Sequence, residues 1–191
     1  MFGAGALGSL VGGMLAREHQ VTLVARDPHA RHVAGQGLRV VGELDAYTRP
    51  RATTAPTPED LTCDLVLVTV KAYDTETAAK TLATGDPDLV CSLSNGLCEE
   101  TLAEHLADRV LAGSATYGAE LVGPGEVRCT GVGRVHVGEF ADADALREVA
   151  RVLRPGGRLL TVDWDRAGAG EAGPPRDETY SLGDAVALQT E

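Results

Sequence analysis

The chain has 191 residues, 43% of them hydrophobic and 24% charged, and its 28 acidic against 17 basic side chains give a formal net charge of −11. That acidity argues against nucleic acid as a partner, because such binding needs a basic patch to displace counterions. No apolar stretch approaches the about 20 residues of a bilayer span, and the start carries no basic segment leading into an apolar run, so no membrane partner and a cytoplasmic location are expected.

The elements begin at once with Gly3-Ala4-Gly5-Ala6-Leu7-Gly8. In a G-x-G-x-x-G stretch the first glycine permits a tight turn, the second lets backbone approach a pyrophosphate, and the third lets the following helix pack closely on a sheet. Such a motif follows a buried strand of about five residues, yet only Met1 and Phe2 precede it. A truncated first strand is therefore expected, either because the true start lies upstream or because the chain is a recombined or decayed gene product.

Leu10, Val11, Met14 and Leu15 then recur at helical spacing, and residues 21–25 read as a short buried strand. Residues 29–37 predict a helix with a glycine stop, 38–41 a strand, and the Thr/Pro/Arg-rich stretch 47–58 a loop or edge element. Residues 65–70 form an unbroken β-branched and leucine run, the pattern of a strand covered on both faces in a parallel sheet. A helix over 74–82, a strand over 89–93, a helix at Glu99–Leu106 and a strand over 110–117 continue the alternation. Residues 126–130 and 134–140 predict a hairpin around Gly131 and Gly133. Further on, 142–153 reads as a helix, 159–162 as a strand and 166–176 as flexible, with Ser181 capping a last helix. The fold class is α/β: a Rossmann-like, doubly wound, mostly parallel sheet. Residues 1–140 are expected to form the nucleotide-binding domain, 141–165 a helix and strand, and 166–191 a flexible tail.

Cys63, Cys91, Cys98 and Cys129 make no C-x-x-C pair and read as reduced, small apolar residues, with Cys63 and Cys91 beside or within buried strands. No metal constellation, Ser/His/Asp order or P-loop stands out. The chemistry lies at strand ends. The free N–H groups at the start of the first helix suit a pyrophosphate. About twenty residues beyond the fingerprint, an acid reads the ribose of NAD and an arginine the 2′-phosphate of NADP. Arg26 occupies that position, favouring NADP(H), and the adjacent Asp27 leaves NAD open. Lys71 ends the strongest strand, at the edge where ligands of an open α/β sheet collect, and Asn95-Gly96 ends the next strand at the same edge. Each is equally a solvated loop residue or a ligand contact. Ser94, Thr116, Tyr117 and Glu120 are weaker polar candidates, and His136 is expected to face solvent.

The stretches GAGALGSLVGG, VTLVARD, LVLVTVKAYDT, SLSNGLCEE, LAGSATYGAELVGPGEVRCTG and GRVHVGE resemble, in order and spacing, the amino-terminal half of the ketopantoate reductase (2-dehydropantoate 2-reductase) family, over roughly residues 2–140. The resemblance implies that Gly3, Gly5, Ala6, Leu7 and Gly8 line the pyrophosphate, that Arg26 and Lys71 hold the 2′-phosphate of NADP(H), and that Asn95 lies near the nicotinamide and the keto-acid substrate. It departs at Asp74, where relatives often carry a neutral amide. In that family a second, helical domain supplies a catalytic lysine, and this chain shows no counterpart, so weak or absent activity is expected. After Phe140, ALREVARVLRPGGRLLTVDWD resembles instead a class I methyltransferase that uses S-adenosylmethionine. A methyltransferase remnant, or a non-catalytic module that binds a nucleotide or forms a homodimer through an exposed sheet edge where the first strand should lie, stand as alternatives.

Overall fold

A computed structural model describes residues 1–139, so the helix, strand and tail expected beyond Phe140 lie outside the described residues. The elements are α1 (Ala6–Leu15), β1 (Thr22–Val24), α2 (His29–Gln36), β2 (Leu38–Gly42), β3 (Ala46–Thr48), β4 (Arg51–Thr53), β5 (Leu65–Val68), α3 (Thr75–Leu82), β6 (Leu89–Ser92), α4 (Glu99–Leu106), β7 (Val110–Ala115), β8 (Gly118–Gly123), β9 (Glu126–Gly131) and β10 (Val135–Glu139). None of the described helices is long and apolar enough to cross a membrane.

The main sheet is joined through one residue. Phe2 bridges β1 on one side and β5 on the other, both in parallel, so the strand order is β4-β1-Phe2-β5-β6-β7-β10. Among the described strands of this sheet only β10 runs antiparallel, against β7. This is the Rossmann order, with Phe2 standing in the place of the first strand. Its ladder is regular despite its length: Phe2 N–H donates to Leu67 O at 2.8 Å, Thr69 N–H donates to Phe2 O at 2.9 Å, and Val24 N–H donates to Met1 O at 2.9 Å. Phe2 alone holds the place of the first strand among the described residues. Its place is internal to the sheet, however, and that corrects the expectation of an edge open to a second copy.

A second, four-stranded sheet has the order β3-β2-β9-β8. Helix α1 packs between the two sheets, and its small residues make this possible. A side chain at Gly12 would strike Leu23 of β1, and one at Gly13 would strike Leu38 of β2. Leu10, Leu23, Leu38, Val40 and Val127 are fully buried in the core that results.

One expectation about strand pairing needs correction. Residues 126–130 and 134–140 do not pair with each other: β9 lies between β2 and β8 in the second sheet, while β10 closes the main sheet. The hairpin is β8–β9, turning at Pro124-Gly125, where Gly125 has φ +76°. After β9 the chain crosses to the main sheet, with Thr116 N–H donating to Arg134 O at 3.0 Å. The stretch 47–58, expected as a loop or edge element, contains β4, which pairs in parallel with β1 at the edge of the main sheet. A three-residue strand is too short to leave a periodic trace. Cys63 is exposed, while Cys91, Cys98 and Cys129 are buried, and none of the four forms a disulfide. Burial pushes the Cys91 thiol up to about 11, which keeps it protonated and inert.

Candidate functional site

The sheet order reverses at Phe2, since one side leads to β1 and β4 and the other to β5, β6 and β7. Beyond the carboxyl ends of the strands, such a switch point is where an open α/β sheet leaves a crevice for a ligand. The loops that meet there follow β1 (with Arg26), Phe2 (Gly3 to Gly5), β5 (with Lys71) and β6 (with Asn95). The glycine loop, Arg26, Lys71 and Asn95 therefore lie on this one edge, whereas Glu120 lies on β8 of the second sheet and His136 on β10.

The three glycines occupy three different environments. Gly3 turns the chain at φ +95°, and a Cβ there would lie 2.7 Å from Val70 Cγ1 and 2.8 Å from Val70 N. Gly8 packs so closely that a Cβ would come within 2.5 Å of Thr69 Oγ1 and 2.8 Å of the Gly3 carbonyl oxygen. Gly5 is the opposite case. It is exposed, and the nearest atom to a Cβ there is Gly3 O at 4.0 Å. The turn and the helix contact are thus closed by sterics, and the central glycine faces open space.

Gly5 is also the residue that precedes α1, and it makes no side-chain cap. The first N–H groups of a helix have no partner within it, so those of Ala6, Leu7 and Gly8 form a small array of donors with the positive end of the helix dipole behind them. The loop beneath is held on both flanks. Gly3 and Ala4 N–H donate to Val24 O at 3.0 and 2.8 Å, and Thr69 Oγ1 donates to Gly3 O at 2.9 Å.

Arg26 is exposed just past β1. The neighbouring Asp27 is taken by Arg31, one helical turn on, at 2.7 Å. Among the described residues Arg26 enters no ion pair. Lys71 is half-buried where the chain leaves β5, and Asp74 N–H donates to its carbonyl at 2.8 Å. Asn95 is exposed beside Gly96, whose φ is +96°. The weaker candidates have structural partners: Ser94 Oγ donates to Val70 O at 2.8 Å, Arg128 pairs with Glu120 at 3.0 Å, Thr116 pairs with Arg134 backbone, and Tyr117 packs on the core. His136 is exposed, as expected.

Sequence reasoning passed over a buried chain of polar groups behind the glycine loop. Gly125 N–H donates to His29 Nδ1 at 3.0 Å, His29 Nε2 lies 2.9 Å from Ser9 Oγ, and Ser9 Oγ lies 3.2 Å from the Ala4 carbonyl oxygen. Burial, and then the nearby His32, hold the His29 imidazole below the usual histidine range. No spacing rule joins these residues, because Gly125 is 96 positions from His29.

The chain matches Ketopantoate reductase PanE/ApbA over residues 1–142. It belongs to that family. The 2-dehydropantoate 2-reductase of Archaeoglobus fulgidus is 42% identical over 160 residues, which covers 82% of this chain and 53% of the relative. That of Halobacterium salinarum is 43% identical over 169 residues, covering 84% of this chain and 55% of the relative. Among solved structures, a PanE/ApbA family ketopantoate reductase from Ralstonia eutropha JMP134 superposes with a TM-score of 0.66 at 37% identity, covering 71% of this chain and 47% of the other. A D-mandelate dehydrogenase solved with NADH and anilino(oxo)acetate also gives a TM-score of 0.66, at 25% identity, over 78% of this chain and 51% of the other. This chain spans about half the length of the curated relatives it matches. These relatives are a reductase family and a dehydrogenase, and the methyltransferase reading finds no support from them.

Proposed function

We propose that residues 1–139 are the NADP(H)-binding half of a 2-dehydropantoate 2-reductase. The observation that carries this reading is the uncapped start of α1 beside Gly5, where a side chain would meet open space while side chains at Gly3 and Gly8 would meet protein. A pyrophosphate fits such a place, because it brings acceptor oxygens to N–H groups that have no partner within the helix and needs the backbone bare to reach them.

In this reading Gly3, Gly5, Ala6, Leu7 and Gly8 line the pyrophosphate. Arg26 takes the 2′-phosphate, since guanidinium matches phosphate oxygens in pairs, and the pairing of Asp27 with Arg31 leaves it available. Lys71 adds a second cation at the same edge. Asn95, with both a donor and an acceptor on its amide, orients the nicotinamide end and the keto-acid. When bound, the reduced nicotinamide supplies the hydride that turns the keto group of 2-dehydropantoate into the hydroxyl of pantoate.

Calorimetric titration with NADPH, NADH and S-adenosylmethionine tests the reading. Saturable binding of NADPH, tighter than NADH, is the expected result. Preference for S-adenosylmethionine, or equal affinity for the two nicotinamides, contradicts it.

A further inference from the structure

The buried chain from Gly125 to Ala4 has a direction. A backbone N–H can only donate, so His29 Nδ1 accepts from Gly125 and carries no proton. The proton of the neutral ring is then on Nε2, which donates to Ser9 Oγ. That leaves the Ser9 hydroxyl proton for the Ala4 carbonyl, the only other group the hydroxyl meets among the described residues. Ala4 lies between Gly3 and Gly5, so the relay ends on the loop proposed to meet the cofactor. Ser9 is fully buried and His29 is 5% exposed, so water cannot substitute for a broken link without cost.

Four separate pieces of the fold meet in this relay: the glycine loop, α1, α2 and the β8–β9 turn. Gly125 is fitted to its part twice over. Its φ is +76°, and a Cβ there would run into the ring of His32. A larger residue would drive the N–H away from His29. Protonation of Nδ1 would set two N–H groups facing each other and open the relay at that point.

We propose that Ser9 and His29 are positioning residues for the cofactor site: the neutral Nε2–H form of His29, fixed by Gly125, holds the Ala4 carbonyl through Ser9 and so sets the glycine loop in its binding shape. The proposal rests on the nucleotide-binding reading above. It also implies a proton link, in which charging His29 releases the loop. The ionisable groups around His29 are few. On α2 there are His32, whose charge opposes a second one on His29, and Arg31, held by Asp27. Helix α1 carries no ionisable side chain. Strand β4 brings Arg51, paired with Asp60 at 2.9 Å, and β9 begins with Glu126 beside Gly125.

The test uses the full chain and two readouts that need no ligand. Ring ¹⁵N NMR should show His29 protonated at Nε2 and bare at Nδ1 at pH 7.5, and the opposite tautomer overturns the relay whether or not any variant folds. Ser9→Ala should speed hydrogen exchange at the Gly5 to Gly8 amides at least about fivefold beyond the change at α4, and uniform exchange overturns it. With NADPH, Ser9→Ala should weaken binding about tenfold at pH 7.5. That penalty should shrink below about twofold at a pH where the NMR titration shows His29 charged, because the relay is then already open. A penalty that is constant with pH, or absent at pH 7.5 in a wild-type chain that binds NADPH, contradicts the proposal. Failure of the wild-type chain to bind NADPH would instead sink the nucleotide reading, while the tautomer and exchange results still decide the relay.

Discussion

The carboxyl and amino ends of the Phe2 position lie between the same two strands and are built differently. At the carboxyl end, Gly3 and Gly8 press against Val70 and Thr69, and the loop is hydrogen-bonded to Val24 on one side and Thr69 on the other. At the amino end a cleft of about 350 Å³ opens between β1 and β5, lined by Met1, Val21, Thr22, Leu65 and Val66 among others. The ladder that pairs Leu67 O and Thr69 N with Phe2 directs the Leu65 carbonyl and Leu67 N–H, two residues earlier, toward this cleft. The difference teaches that aiming the glycine loop and filling the sheet are separate tasks. Two residues suffice for the first, because the flanking strands do the holding.

The largest expected effect tests that separation directly. Joining about five alternating valine and isoleucine residues to the Met1 nitrogen should fill the cleft, and each large aliphatic side chain buried contributes roughly 1.5–3 kcal/mol. Even after ordering costs, the midpoint of thermal unfolding should rise by more than about 8 °C, while NADPH affinity changes less than about threefold. A large gain in affinity with little gain in stability would show that the short strand had misplaced the loop.

Next come two glycine substitutions that the comparison says must differ. Gly8→Val forces a side chain into Thr69 and the Gly3 carbonyl and should cost about 2–3 kcal/mol in urea unfolding. A Cβ at Gly5 comes no nearer than 4.0 Å to any atom outside its neighbours, so with Gly5→Val stability should hold within about 0.5 kcal/mol while NADPH binding weakens more than about tenfold. Equal loss of stability in both would mean that the open space at Gly5 is not open.

The amino end makes a pH prediction of its own. Burial drives the Met1 ammonium down from 8.0 to about 6, although the group donates to Thr22 O at 2.9 Å. The folded state thus binds the proton less tightly than the unfolded state. Stability from this group is complete above pH 8 and falls as pH is lowered from 8 to about 6, by about 2 kcal/mol. Urea unfolding at pH 8.5 and pH 6 should show that loss, and acetylation of the Met1 amine should abolish it. A loss that survives acetylation would place its origin elsewhere.

The smallest effect lies on the carboxyl edge and leaves the fold untouched. Arg26→Ala should raise the dissociation constant for NADPH about tenfold and leave that for NADH unchanged. Equal weakening of both would give Arg26 a general electrostatic role rather than recognition of one phosphate.

Much of this was legible in the residues, for reasons that differ by element. Helices α1 and α4 announce themselves through apolar periodicity, and β5 through its unbroken β-branched run. The three roles of Gly3, Gly5 and Gly8 follow from spacing alone, because the motif encodes sterics that any such turn must satisfy. Strand β8 was missed since Leu121 and Val122 are exposed in succession, at 40% and 43%, and give no alternation. The partner of β9 was misread for the same reason: a turn at Gly131 and Gly133 competed with the true one at Pro124-Gly125. That Arg26 enters no ion pair among the described residues goes with Arg31 reaching back one turn to Asp27, which a sequence shows only after α2 is placed. The Ser9–His29–Gly125 relay joins residues 20 and 96 positions apart, and nothing local marks it.

The central claim is that the bare N–H groups at the start of α1 receive the cofactor's pyrophosphate, and amide NMR during titration with NADPH tests it most directly. The largest shifts should fall on Ala6, Leu7 and Gly8, with Arg26 side-chain signals moving for NADPH and not for NADH. Saturable binding that leaves those three amides unmoved would contradict the account.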